Sequence, residues 1–190
     1  LLLKDIFPQN AVDMGMISKI NPIYQYFRNK EKKLYATSDF IGCLSPANVD
    51  YLLKHNPEIN PAIVEVNPNT IHPIVEGLSS EEKVEVRNKY NIPSDSIVFM
   101  YGGNIGKPQG IDFIMQVLSA NIGIEKVFII VVGSGTEYPR LLNWHIKKAP
   151  KNILIMKGLP KDEYDELAMA CDVGLIFLDR RFTIPNVPSR

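Results

Sequence analysis

Two cysteines in 190 residues, Cys43 and Cys171, are too few and too far apart for a disulfide-stapled fold. Both lie in apolar stretches and read as small core residues in a reducing compartment. Three histidines, His55, His72 and His145, are scattered and none stands at a metal-ligand spacing from Cys or a carboxylate. No metal site and no cofactor is therefore expected. Charge of one sign is also missing. Lys+Arg and Asp+Glu both count 21, so no overall basic field exists to hold a nucleic acid. No apolar run approaches the roughly 20 residues of a membrane span. The longest, Val127 to Val132, reads as a buried strand. There is no Gly-x-Ser-x-Gly elbow of an α/β-hydrolase. Disorder is excluded by 45% hydrophobic residues at zero net charge. The chain opens on Leu1 without a signal peptide and closes on Arg190, which reads as part of a longer protein.

What is present is a repeated strand–loop–helix grammar. Asp5 to Gln9 reads as a strand end running into a loop. Pro22 to Thr37 reads as a helix with proline in its first turn. Ile23, Phe27 and Leu34 share one of its faces, and Lys19 to Tyr35 holds five basic residues against Glu31 alone. That stretch has two readings: a helix touching an anionic membrane surface, or an ordinary surface helix with its aromatics packed inward. The shortness of the basic cluster favours the second. Strands follow at Phe40–Leu44 and Ala62–Val66, with Ser45 capping a helix begun by Pro46. Ser79-x-x-Glu82 is a capping box for a helix to about Tyr90. Strands at 96–101, 126–132, 152–157 and 172–178 alternate with helices. Their apolar character without alternation predicts an α/β fold with a doubly wound parallel sheet covered on both faces.

Ligands of such sheets bind beyond the carboxyl ends of the strands. The loop Gly102 to Gly110 follows one such end. Its glycines would let backbone N–H groups approach an oxyanion, the next helix would add a partial positive charge, and Lys107 an ammonium. It matches neither a Walker A loop, since Pro108 follows Lys107, nor Gly-x-Gly-x-x-Gly, which disfavours a nicotinamide dinucleotide. A plain steric turn is the other reading. Glu137, after Gly133-Ser134-Gly135, either grips ribose hydroxyls or simply occupies a first helical turn. Asp162, Glu163, Asp165 and Glu166 read as a solvated helix start.

Taken in order, Ser38-Asp39, Ser45-Pro46-Ala47-Asn48, Asn67-Pro68-Asn69-Thr70, Gly102 to Gly110, Val132-Gly133-Ser134-Gly135 with Glu137, Lys157-Gly158-Leu159-Pro160, Ala170-Cys171-Asp172-Val173 and Pro185 to Arg190 resemble bacterial glycosyltransferase family 4, of GT-B architecture. The form Asn104-Ile105-Gly106-Lys107-x-Gln109-Gly110 is similar to that of enzymes of capsule and O-antigen assembly, N-acetylfucosamine transferases among them. The resemblance implies residues 1–75 as the C-terminal part of an acceptor-side domain with a linker, and 76–190 as a Rossmann-like donor-side domain truncated at its C-terminus. It implies a nucleotide-sugar donor, a UDP-sugar by expectation, and a lipid-linked or saccharide acceptor. The transfer would be of hexosyl type, retaining and metal-independent, in the cytoplasm or at the inner face of the cell membrane. Gly103, Asn104, Lys107, Gln109 and Arg190, with Ser189, would meet the donor phosphates. Gly133, Gly135, Glu137, Gly158 and Leu159 would line the nucleoside. Asp5, in Asp-x-Phe-Pro-Gln, is the acceptor-side catalytic candidate. Asn104 and Gln109 stand where the family often has Arg and Lys, and the family's Glu-x7-Glu stretch would lie beyond Arg190. The chain alone is therefore expected to be inactive. The alternative is a non-catalytic nucleotide-binding module of Rossmann type.

Overall fold

Residue alternation along two central strands explains the larger part of the fold. In β4 (Ile97–Asn104) Val98 and Met100 point to one side, Phe99 and Tyr101 to the other. In β5 (Val127–Ser134) Phe128, Ile130 and Val132 oppose Ile129 and Val131. Both sides are apolar, so both must be covered. The computed structural model describes residues 1–70 and 77–185 and divides into two compact units. Leu1–His72 groups with the segment from Arg180, and Pro73–Asp179 forms the second unit. The segment after Asp179 thus groups apart from the rest of 76–190.

In the second unit four parallel strands run in the order β6-β5-β4-β7, with β6 at Ile153–Met156 and β7 at Val173–Leu175. One face is covered by α5 (Ile111–Ala120) and α6 (Tyr138–Lys148), which pack Ile114, Leu118 and Leu141 on Tyr101, Ile129 and Val131. The other is covered by α7 (Lys161–Ala170) through Leu167, with Val86 of α4 (Ser80–Lys89) beside it. The chain winds outward from β4 to β6 and returns through α7 to lay β7 on the other side of β4. That is the doubly wound arrangement with its crossover point between β4 and β7. The capping box of α4 forms as read: Glu82 N donates to Ser79 Oγ at 3.2 Å and Ser79 N donates to Glu82 Oε2 at 2.7 Å. At the start of β7, Arg87 donates to both carboxylate oxygens of Asp172 and to the carbonyls of Ala170 and Ser96. Asp172 also accepts from Val98 N at 2.7 Å, which ties the return strand to β4.

In the first unit three short parallel strands, β1 (Leu2–Leu3), β2 (Ile41–Cys43) and β3 (Val64–Val66), lie in that order. The helices here are α1 (Gln9–Asp13), α2 (Pro22–Ala36) and α3 (Pro46–His55). Asn21 caps α2 and Ser45 caps α3. Tyr35, Ile41, Cys43 and Leu52 form the core. Burial and a hydrogen bond to Glu31 push the Tyr35 hydroxyl well above its ordinary pKa. Arg28 donates to Glu31 at 2.6 Å and to the His55 carbonyl, so this half-buried charge is paired. Thr183 donates from its N to Asp13 at 2.7 Å, and Asn48 donates to the Pro185 carbonyl, fastening the 180–185 segment to this unit.

Several element boundaries differ from the sequence reading. The first strand is Leu2–Leu3, and Gln9 opens a helix instead of closing a strand. Pro61–Ile63 is a 3-10 turn, because Pro61 sits at its first position and the Asn60 side chain accepts from Ala62 N at 3.0 Å. Helix α6 begins at Tyr138, with Glu137 as its N-cap residue. Strand β7 pairs only from Phe99↔Val173 to Tyr101↔Leu175 and stops short of Leu178. The inward packing expected of α2's aromatics holds for Tyr35 and fails for Tyr26 and Phe27. Its buried residues are Glu31 and Tyr35, while Ile23, Tyr26, Phe27 and Leu34 are exposed.

Candidate functional site

The carboxyl ends of β4 and β5 are joined more closely than the sequence suggests. Gly102, Gly103 and Asn104 belong to the strand, not to the loop, and pair in register with Val132, Gly133 and Ser134. A Cβ on Gly133 would stand 1.8 Å from the Gly103 carbonyl oxygen, so only glycine lets the two backbones meet here. Pairing continues past the strands: Ile105 N donates to the Ser134 carbonyl at 2.8 Å, and Glu137 N donates to the Ile105 carbonyl at 2.9 Å. The real loop is therefore Ile105 to Gly110, with a 3-10 turn at Lys107–Gln109. Gly110 has φ 69° and ψ 56°, the left-handed conformation, and opens α5 with no side-chain cap. Asp179 N donates to the Pro108 carbonyl at 2.9 Å and holds the loop from the β7 side.

The predicted phosphate residues divide by role. Lys107 is exposed at the first position of the turn and forms no ion pair among the described residues. The exposed Asn104 donates its side-chain amide to Gln109 Oε1 at 3.2 Å. Gln109 is buried, so this bond braces the loop from within. Tyr101, fully buried, donates its hydroxyl to the Asn104 carbonyl at 2.7 Å and fixes the same corner. Arg190 and Ser189 lie outside the described residues, as do Asn186 to Pro188.

Among the predicted nucleoside residues, Gly133 and Gly135 stand at the joined strand ends. A Cβ on Gly135 would meet the Ile105 carbonyl oxygen at 2.3 Å. Glu137 is mostly buried and its carboxylate lies 3.5 Å from Arg140, which also pairs with Asp112 in the first turn of α5. Gly158 faces open space, and Leu159 packs against the Val98–Leu167 cluster after β6. Asp5 is exposed just after β1, in the first unit. His145 donates from Nε2 to the Ile153 carbonyl, 2.8 Å away, a structural role. Among the described residues no group of His, Cys, Asp and Glu is arranged to hold a metal.

A cavity of about 330 Å³ opens beside the crossover point, lined by Met100, Gly102, Tyr164, Cys171 and Gly174. The Tyr164 hydroxyl would be 2.1 Å from a Cβ on Gly102, so the ring lies directly over the strand at this point. The sequence holds no signal that this α7 residue covers Gly102. Burial pushes the Cys171 thiol up to about 12, and the thiol donates to the Leu167 carbonyl at 3.1 Å. It is thus a neutral wall of the cavity and no nucleophile.

The solved structures that superpose on this arrangement are GT-B glycosyltransferases. WaaG, a glycosyltransferase involved in lipopolysaccharide biosynthesis, matches with a TM-score of 0.71 at 16% identity, over 92% of this chain and 49% of that one. HepE of Anabaena, in complex with UDP and glucose, matches with a TM-score of 0.68 at 13% identity, over 91% of this chain and 44% of that one. HepE has also been solved with UDP-glucose. The fold is that of part of a GT-B glycosyltransferase. In sequence the chain is 24% identical, over 192 aligned positions, to the probable glycosyltransferase WbjE of Pseudomonas aeruginosa, covering all of this chain and 46% of that protein. No protein-family model matches the chain. The chain spans about half the length of these proteins.

Proposed function

We propose that the chain is part of a glycosyltransferase that moves a sugar from a UDP-sugar to a lipid-linked or saccharide acceptor in surface polysaccharide synthesis. In this reading the second unit holds the donor and the first belongs to the acceptor side. The observation that carries it is the joined ends of β4 and β5, where glycines bare the backbone beside the uncapped start of α5 and the unpaired Lys107. Such a corner favours a diphosphate: the uncapped start of α5 offers N–H groups and the exposed Lys107 of the same loop an ammonium. The same groups favour the leaving UDP more than the intact donor, because negative charge grows on it as the glycosidic bond breaks. The reaction is retaining and draws its acceleration from this electrostatic field, with no metal in the reading. Glycine-lined strand ends after β5 and β6 receive the nucleoside. Asp5, just past the carboxyl end of β1, is the acceptor-side carboxylate. What HepE and WaaG are known to bind or build is consistent with a UDP-sugar donor and a glycan or lipid acceptor.

One observation favours a second reading, a nucleotide-binding module without transfer. Glu137 is engaged by Arg140 and Gln109 is turned inward, which leaves Lys107 as the exposed cation of the loop. Calorimetric titration with UDP, ADP and GDP at equal salt tests the donor site. UDP is expected to bind in preference to the others, and Lys107→Ala to weaken it by about 10-fold, the low end for a charged hydrogen bond at an exposed site. UDP affinity unchanged in that variant makes the loop a steric turn only. Consumption of a UDP-sugar by the longer protein separates the enzyme from the module.

A further inference from the structure

Helices α1, α2 and α3 leave a cavity of about 190 Å³ within the first unit. Gln9 of α1, Lys19 in the connection to α2, Tyr24 and Arg28 of α2, and Tyr51 and His55 of α3 line it. The volume is about six times a water's share of the liquid. One hexose displaces about that much, whereas pockets for cofactor-sized ligands begin at about 300 Å³.

The charge in its wall is already balanced. Arg28 and Glu31 pair at 2.6 Å, with side chains only 18% and 10% exposed. Arg28 also donates to the His55 carbonyl, and Tyr35 donates to Glu31. The pair is therefore a fixed polar surface and not a free charge. Other polar groups of the wall are unspent. The Lys19 ammonium and the Tyr24 hydroxyl have no hydrogen-bond partner among the described residues. His55 donates from Nδ1 to the Tyr51 carbonyl at 2.8 Å, which leaves Nε2 as an acceptor. Gln9 donates its amide to Asp13 at 2.7 Å and keeps its side-chain oxygen. Donors and acceptors thus face the same small space. A phosphate, nearly all acceptor at neutral pH, would meet the Glu31 carboxylate there, while a sugar hydroxyl donates and accepts at once.

The rest of the wall is flat. The Tyr51 and His55 rings stack at a centroid distance of 4.0 Å and an angle of 26°. Such rings present an apolar body with a polar tip, which suits the C–H face of a pyranose and its hydroxyl rim. The cavity also adjoins the acceptor-side candidate, because Ile6, the residue after Asp5, is part of its wall.

We propose that this cavity holds one hexose of a neutral saccharide, its ring against Tyr51 and His55 and its hydroxyls on Gln9, Lys19 and Tyr24. The inference rests on the acceptor-side reading of the first unit and names what that side grips as a sugar ring, not a lipid chain.

The test is saturation-transfer NMR of the 190-residue chain with the methyl glycosides of glucose, galactose and N-acetylglucosamine, and with inorganic phosphate as competitor. No nucleotide is present, so the result does not depend on sugar transfer. At least one glycoside is expected to bind with a Kd of about 1–10 mM, as befits a small ligand with few contacts, and phosphate is expected not to displace it. The His55 ring protons should shift on binding, and those of His145 should not. Tyr51→Leu removes the flat wall and should weaken binding by about 5-fold or more. Tyr24→Phe removes one hydroxyl and should weaken it by about 5-fold. Thermal melting checks that each variant folds, and Tyr24→Phe keeps its ring, so it still decides the matter if Tyr51→Leu unfolds. No glycoside binding up to about 50 mM, displacement by phosphate, binding that leaves His55 unshifted, or wild-type affinity in Tyr24→Phe and Tyr51→Leu overturns the proposal. UDP titration of the same chain separates the two readings. UDP binding without glycoside binding sinks this inference alone, and glycoside binding without UDP binding upholds it while the donor site fails.

Discussion

Replacing Gly133 by Ala tests whether the joined strand ends depend on the missing side chain. Gly133 has no left-handed dihedral, so alanine fits its local backbone. The obstacle is the neighbour: the new Cβ would stand 1.8 Å from the Gly103 carbonyl oxygen and 2.9 Å from its carbon. An ordinary C···O contact is about 3.3 Å, so the strands must part by roughly 1.5 Å. Both groups are main chain, and no rotamer change relieves them. Parting them endangers the Ile105–Ser134 and Glu137–Ile105 hydrogen bonds, at 2.8 and 2.9 Å. Overpacking costs about 1–3 kcal/mol, and two net hydrogen bonds add about 1–3 kcal/mol. The expected loss is about 2–6 kcal/mol, which for a unit of this size lowers the melting temperature by about 10 °C or more. Thermal unfolding by circular dichroism, paired with UDP titration, reads both consequences. Gly158→Ala is the control. Nothing lies within 4 Å of its Cβ and its φ is ordinary, so stability should stay within about 0.5 kcal/mol. If Gly133→Ala melts and binds like the wild type, the close approach of β4 and β5 is refuted.

Two further outcomes follow from the same geometry. Cys171 should resist thiol reagents at pH 8 in the folded protein and react on unfolding, which a reagent time course with and without urea measures. Its folded pKa is raised by burial from 9.0 to about 12, so the neutral thiol's contribution to stability is complete below about pH 9 and is lost as pH climbs toward 12. Cys171→Ala should flatten that alkaline decline in urea-unfolding curves. Arg87→Ala removes donors from Asp172 and from the Ala170 and Ser96 carbonyls. With Asp172 partly exposed, the expected loss is about 2–3 kcal/mol in denaturant unfolding, and a loss under 0.5 kcal/mol would show that β7 does not rely on this clasp.

The helices and the sheet's winding were legible because their causes are local. Ser45 and Ser79 cap helices wherever the chain brings them, and the uninterrupted Val127–Val132 run has no polar face to give to water. The candidate loop was legible as a place and not as a shape. Its glycines announced a turn, yet Gly102 and Gly103 are strand, paired with Val132 and Gly133 about thirty residues on, and what a side chain at 102 would meet is the Tyr164 ring from α7. Gln109 reads as a polar loop residue and is in fact buried against Asn104. The α2 stripe shows the reverse case. Its period announced an inward face, but the buried positions went to Glu31 and Tyr35, which satisfy each other and Arg28, and the apolar residues were left outside. By itself the sequence determined the elements, their order and the parallel sheet, since propensity, capping and apolar period act over a few residues. Only the tertiary structure decided which glycines carry a close approach, which polar groups are spent on one another and which face stays bare, because those depend on atoms brought together from distant parts of the chain.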